Sequence, residues 1–211
     1  MISVLIADDH PIVRKGLKQI LEETSEIVVA AEACSGQEAI DKINSEDFDV
    51  VLLDISMPGI GGLEALKQIR QFRPALPVLI LSMHPEEQYA FRAMKSGASG
   101  YLTKDSVPDE LISAVKKVFQ GGKYITLALA ERLAVEIEVQ GEKPLHQYLS
   151  NREYQVLLAI TGGKTLRAIS EELYISPKTV STYRTRILEK MKMKTNADLT
   201  RYVMKNRLLD N

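Results

Sequence analysis

Five short apolar runs, each followed by a stretch of helical periodicity, constrain this chain more than any other feature. They are Ile2–Ala7, Ile27–Ala33, Val50–Leu53, Val78–Ser82 and Gly100–Thr103, rich in Val, Ile and Leu. Short continuous apolar runs of this kind fit strands buried on both faces of a parallel sheet. Between them, residues 11–23 put Val13, Leu17, Ile20 and Leu21 on one helical face, with Pro11 at the favoured first position. Residues 35–45, 61–71, 86–96 and 107–119 follow the same plan. Strand–helix alternation joined by right-handed crossovers predicts an α/β doubly wound, five-stranded parallel sheet of order 2-1-3-4-5.

After Gly121-Gly122 this pattern stops. An amphipathic stretch, Leu127–Glu138, and a turn-like segment over 139–144 read as a linker covering 121–148. From about residue 149 the spacing predicts short helices only. Ser150 and Glu153 form a capping box ahead of the first, and Gly162-Gly163 ends it. Helices over 165–173 and 177–190 follow, then one over 197–206 with Asn196 as its expected cap. Charge divides along the same lines. Residues 1–120 hold 12 Lys and Arg against 18 Asp and Glu, whereas residues 149–211 hold 12 against 6. The acidic front suits a cation and the basic back a polyanion.

The polar residues at the strand ends carry the chemistry. The first strand ends in Asp8-Asp9, the third in Asp54, the fourth in Ser82 and the fifth in Thr103-Lys104. Order 2-1-3-4-5 places the first and third strands side by side at the switch point, where ligands bind. Three carboxylates brought together raise one another's pKa unless a cation sits among them. An all-oxygen set of this size suits Mg²⁺. Carboxylate, magnesium, hydroxyl and ammonium in one crevice are equipment for handling a phosphoryl group. His10 lies beside this set; with His84 and His146 too far off in sequence to join it, the helix-start reading is preferred over a metal ligand.

Asp8-Asp9, Leu53-Asp54-Ile-Ser-Met-Pro58-Gly59, Ser82 and Thr103-Lys104 together resemble the receiver domain of bacterial response regulators, over residues 1–120. The resemblance implies a flavodoxin-like receiver in which Asp54 accepts a phosphoryl group from a sensor histidine kinase. It implies that Asp9, Asp54 and the backbone carbonyl of Ser56 ligate Mg²⁺, with Asp8 acting mainly through water. It also implies that Lys104 pairs with the phosphoryl oxygens while Ser82 and Tyr101 form the switch, Tyr101 rotating inward. One departure stands out: many receivers carry a cis-proline after the lysine, and this chain has Asp105.

In the basic segment, the second and third helices are joined by Tyr174-Ile175-Ser176, a helix-turn-helix spacing. On the third helix Val180, Tyr183, Ile187 and Met191 share one face. Lys178, Thr182, Thr185 and Glu189 share the opposite face, with Ser181 and Arg186 at its edges. Short hydroxyls beside a lysine let a helix approach base edges closely. The DNA-contact candidates are therefore Lys178, Thr179, Ser181, Thr182, Thr185 and Arg186. Gly162-Gly-Lys-Thr165 imitates the end of a phosphate-binding loop, but Leu158 stands where that motif needs glycine. Residues 149–153, 169–173, 175–180 and 187–191 resemble the LuxR-type DNA-binding domain, roughly over 148–211. The whole chain is thus similar to response regulators of the NarL/FixJ subfamily. In that family the last helix, here with Leu199, Tyr202 and Val203, often forms the dimer contact on double-stranded DNA; the same residues also suit the core of the unit itself.

The expectation is a phosphorylation-switched transcription regulator acting as a homodimer on DNA, with enzymatic chemistry limited to self-phosphorylation and dephosphorylation at Asp54. A Mg²⁺-dependent phosphatase is the rival enzyme reading; such hydrolases usually carry a second acid two residues after the nucleophile, where this chain has Ser56. The rival binding reading gives the basic helices a protein partner. One cysteine, Cys34, and no run near the ~20 apolar residues of a membrane span point to a cytoplasmic, membrane-free location.

Overall fold

The computed structural model describes residues 1–138 and 144–209. The chain divides into two compact units, Met1–Val135 and Glu136–Asn211. In the first, β1 (Ile2–Ala7), β2 (Ile27–Ala33), β3 (Val50–Asp54), β4 (Val78–Ser82) and β5 (Gly100–Thr103) form one parallel sheet. Its order is β2-β1-β3-β4-β5, as the alternation predicts. Helices α1 (Pro11–Leu21), α2 (Gly36–Ser45), α3 (Gly62–Phe72), α4 (Glu86–Lys95) and α5 (Val107–Phe119) connect the strands. β3 and β4 are buried along their whole length. Val4, Ile6, Leu52, Leu79, Leu111 and Val115 belong to one core between the sheet and the helices α1 and α5. Burying both faces of the central strands aligns their carboxyl ends on one edge, and that alignment positions the site.

The first unit runs past residue 120. Tyr124 pairs with Gly100 on the free side of β5: its N–H donates to Ser99 O at 2.9 Å, and Tyr101 N–H donates to Tyr124 O at 3.1 Å. Gly100 permits this approach, since a Cβ there would stand 2.7 Å from both Tyr124 Cβ and Tyr124 O. Lys123 Nζ donates to Ala98 O, and Thr126 donates to Glu86 Oε1 at 2.6 Å. The start of the expected linker is thereby sheet edge and helix cap. Helix α6 (Leu127–Glu138) follows, with Leu129 buried. The turn expected over 139–144 lies, but for Pro144, outside the described residues. Among the described residues no peptide bond is cis, so Lys104–Asp105 is trans.

In the second unit a short 3-10 turn (Leu145–Tyr148) precedes α7 (Asn151–Thr161), α8 (Leu166–Glu172), α9 (Pro177–Lys190) and α10 (Asn196–Lys205). The capping box of Ser150 and Glu153 is present. The cap of α10 is Thr195 rather than Asn196. Its hydroxyl accepts from Asp198 N–H while the Asp198 carboxylate accepts from Thr195 N–H, so the acid three residues on selects the cap. Val156, Leu157, Ile169, Val180, Ile187, Leu199 and Val203 are fully buried and form the core of the unit.

Candidate functional site

At the carboxyl edge of the sheet Asp8 is fully buried and Asp54 is 2% exposed. Lys104 leaves the end of β5 and turns its ammonium between them, with Nζ 2.6 Å from Asp8 Oδ2 and 3.1 Å from Asp54 Oδ2. Both oxygens are buried and make no other hydrogen bond among the described residues. The Lys104 backbone is anchored beside the site, its N–H donating to Ser82 O at 2.8 Å. Ligand-capable atoms of Asp8, Asp9, His10 and Asp54 all lie within 4.8 Å of one another. The three carboxylates and the ammonium named from the strand ends are therefore brought together.

Electrostatics follow from burial. Removal from water pushes the Asp54 carboxyl up to about 6. The Asp8 charge adds to this, while Lys104 and the Ser56 backbone N–H oppose it. Burial alone would lower Lys104, but the charges of Asp54 and Asp8 outweigh it and hold its pKa above the ordinary lysine value. Buried carboxylate oxygens with no second donor, beside one ammonium, fit a hard divalent cation. The acidic cluster is compatible with Mg²⁺.

The loop after β3 shapes one wall. Met57 is buried, Gly59 takes a positive φ of 70°, and Gly62 N–H donates back to Ile55 O at 3.0 Å. Gly62 was not singled out by sequence reasoning, yet a Cβ there would stand 1.9 Å from Asp54 O. Its doublet with Gly61 was the available signal. Ser82 is buried with its Oγ accepting from His84 N–H at 2.9 Å. Tyr101 is already inward, 5% exposed, its hydroxyl donating to His84 O at 2.9 Å. One backbone residue, His84, thus joins the two expected switch side chains. His10 stands at the start of α1, as expected; its ring makes no capping bond and faces the carboxylates, Nδ1 lying 2.9 Å from Asp9 Oδ1.

On the second unit, α8 and α9 flank a turn in which Tyr174 takes a positive φ of 53° and Ile175 N–H closes onto Ser170 O. Ser176 caps α9 by accepting from Thr179 N–H, with Pro177 next. Val180, Ile187 and Met191 are buried, while Lys178, Ser181, Thr182, Thr185 and Arg186 are exposed. Thr179 is half-buried, its hydroxyl 2.8 Å from Ser176 Oγ in the cap. Thr182 and Thr185 donate their hydroxyl protons to Lys178 O and Ser181 O.

Of the two roles open to the last helix, the structure describes the core one. Leu199 and Val203 are 0% exposed, and α10 packs on α7, so its apolar stripe is spent on the core. Tyr202 is half-buried, with its hydroxyl 3.0 Å from His146 Nδ1.

Comparison with known proteins decides the family. Residues 4–116 match the family described as response regulator receiver domain, and residues 147–203 match bacterial regulatory proteins, luxR family. The chain is a NarL/FixJ-family response regulator. This response regulator is 39% identical over 209 residues to Response regulator UvrY of Escherichia coli (strain K12), covering 99% of this chain and 96% of that one. It is 36% identical over 211 residues to Response regulator GacA of Pseudomonas syringae pv. syringae (strain B728a), covering 100% and 99%. A solved structure of RcsB from Salmonella enterica serovar Typhimurium, bound to promoter rprA with the phosphomimetic BeF3-, matches with a TM-score of 0.64. The identity is 25%, over 96% of this chain and 98% of that one. This response regulator joins a receiver to a LuxR-type DNA-binding unit and is a phosphorylation-regulated transcription regulator of a two-component system. Among the described residues no helix is long and apolar enough to cross a membrane.

Proposed function

We propose that Asp54 is the phosphoacceptor and that its modification by a sensor histidine kinase sets the DNA binding of the α8–α9 unit. The observation that carries this is the Lys104 ammonium held between the buried carboxylates of Asp54 and Asp8. An Asp54 Oδ attacks the phosphorus of the kinase's phosphohistidine. The P–O bond forms as the P–N bond breaks, and the imidazole keeps the electron pair of the broken bond. Asp54 gives up its negative charge to the new acyl phosphate, and Lys104 is freed to pair with the phosphoryl oxygens. Asp9, Asp54 and the Ser56 carbonyl would hold Mg²⁺, with Asp8 behind them. The cation would supply charge neutralisation for the phosphoryl oxygens. Ser82 would be the hydroxyl that turns from His84 N–H toward the new group, with Tyr101, buried and bonded to His84 O, as the second switch side chain. Such a local change biases an equilibrium between inactive and active receivers.

The output reading gives Lys178 a phosphate near the start of α9 and gives Ser181, Thr182, Thr185 and Arg186 the base edges, with Thr179 held in the cap. Because Thr182 and Thr185 spend their protons on the helix, they are suited to accept from the amino groups of cytosine or adenine. Two copies would meet on a two-fold site in the cytoplasm. A contact through α10 would use its outward residues, such as Met204, which is 60% exposed. Intact-mass spectrometry with acetyl phosphate and Mg²⁺ tests the phosphoacceptor. The protein is expected to gain one phosphoryl group and the Asp54→Asn variant none. Equal labelling of both would overturn the assignment.

A further inference from the structure

The threonine that opens α6 uses its hydroxyl twice. Thr126 Oγ1 accepts from Leu129 N–H at 3.2 Å, capping the helix, and Ala130 N–H donates to Thr126 O at 3.1 Å. The hydroxyl proton goes elsewhere, to Glu86 Oε1 at 2.6 Å, in a bond to a charged acceptor. Glu86 is the first residue of α4. The segment just before it is tied to the switch residues. His84 N–H donates to Ser82 Oγ at 2.9 Å, and His84 O accepts from the Tyr101 hydroxyl at 2.9 Å. Tyr101 N–H donates in turn to Tyr124 O, two residues before Thr126. From Ser82 the bonds therefore run to Thr126 by the 84–86 segment and also by Tyr101 and Tyr124. Beyond Thr126, α6 carries the chain across residue 136, where the second unit begins.

We infer that Glu86 and Thr126 form a latch through which phosphorylation at Asp54 loosens the start of α6, the helix that leads to the DNA-binding unit. This rests on the roles proposed above for Asp54 and Ser82. A Ser82 hydroxyl that turns toward a phosphoryl oxygen gives up its bond to His84 N–H, and the segment from 83 to 86 resettles. Tyr124 is held to β5 through its backbone, so Thr126 stays in place and Glu86 is the partner that moves. A bond of 2.6 Å tolerates little displacement, and a shift of about 1 Å carries it out of range. The threonine then keeps its cap on Leu129 and loses its tie to α4. Because the latch belongs to one arrangement and not to the other, it biases the equilibrium between them. Glu86 and Thr126 act here as positioning residues, at a distance from the phosphoryl group.

The test uses the full chain. NMR hydrogen exchange is read at the Leu129 and Ala130 amides with and without acetyl phosphate and Mg²⁺, while intact mass gives the fraction phosphorylated. In the native protein phosphorylation is expected to speed exchange at both amides by about threefold or more, the factor that one lost hydrogen bond supplies. Glu86→Ala removes the latch and leaves the cap. Thr126→Asp keeps a capping acceptor but has no proton to donate at neutral pH and repels Glu86. Both variants are expected to exchange fast without acetyl phosphate and to change little with it. Thr126→Ser keeps the hydroxyl and is expected to behave as the native protein does. A response in Glu86→Ala equal to the native one, or unchanged exchange in native protein that intact mass shows to be phosphorylated, overturns the latch and leaves the phosphoacceptor standing. Absence of labelling by acetyl phosphate overturns the phosphoacceptor reading and the latch with it.

Discussion

Replacing Asp54 with Asn should stabilise the metal-free receiver at neutral pH, because the native carboxylate is buried at a cost. An unfolded Asp titrates near 3.8, and in the folded protein burial moves Asp54 to about 6. Between those values the folded chain holds a proton that the unfolded chain has released. Stability therefore declines as pH rises from about 3.8 to about 6 and stays lower above. At about 1.4 kcal/mol per pKa unit, the cost at pH 7 is about 3 kcal/mol. Asp54→Asn removes it but also takes one of two counter-charges from Lys104. Asp8 remains at 2.6 Å from the ammonium, so much of the gain should survive. The expected net gain is about 1–3 kcal/mol at pH 7 in EDTA, shrinking to about 1 kcal/mol or less at pH 4.5. Scanning calorimetry of the full chain reads this as a higher receiver transition, by about 4 °C per kcal/mol for a unit of this size. The helical unit lacks Asp54 and serves as the internal reference. Added Mg²⁺ should close the gap by binding the native carboxylates better than the amide. If the native protein equals or exceeds Asp54→Asn at pH 7 in EDTA, or if the gain is undiminished at pH 4.5, the buried-charge reasoning fails.

Three other outcomes are expected. Thr182→Ala and Thr185→Ala should change base preference by about 1–3 kcal/mol at one position, whereas Lys178→Ala should weaken all sequences alike and reduce the salt slope by about one, as gel shifts on a sequence library across salt would read. Gly100→Ala should part the Tyr124 pairing, cost about 1–3 kcal/mol, and speed hydrogen exchange at the Tyr101 amide. Glu153 is held below the usual glutamate range: burial opposes its charge, but Lys190 at 2.6 Å and Ser150 outweigh it. Its contribution is therefore present above the ordinary glutamate pKa and lost as pH falls through the lower folded value, so Glu153→Gln should cost about 1–3 kcal/mol at pH 7, a cost that shrinks as the melts are taken to acid pH.

Much of the receiver was legible because its signals are local. An apolar run has to be buried on both faces, and the residue that ends it then stands at the carboxyl edge. Asp8, Asp54 and Lys104 reach one crevice by chain order alone, with no side-chain detail needed. The features that escaped depend on what a segment meets in space. Tyr124 joins β5 through its backbone, which no side-chain periodicity records; only the bare Cα of Gly100 permits it. Gly62 likewise answers to the carbonyl of Asp54, eight residues earlier in the chain.

The last helix shows the same limit from the other direction. Leu199 and Val203 lie four residues apart, which puts them on one face, and the reading of that face as apolar is correct. Periodicity identifies a face that must leave water but is silent on whether a partner copy or the chain's own helices cover it. Here α7 covers it, and both side chains have no exposed surface. A second copy could reach them only by unpacking α10, at a cost of the order of the burial of two large aliphatic side chains, about 3–6 kcal/mol. A dimer that instead uses residues outside the stripe, such as Met204, leaves this core intact.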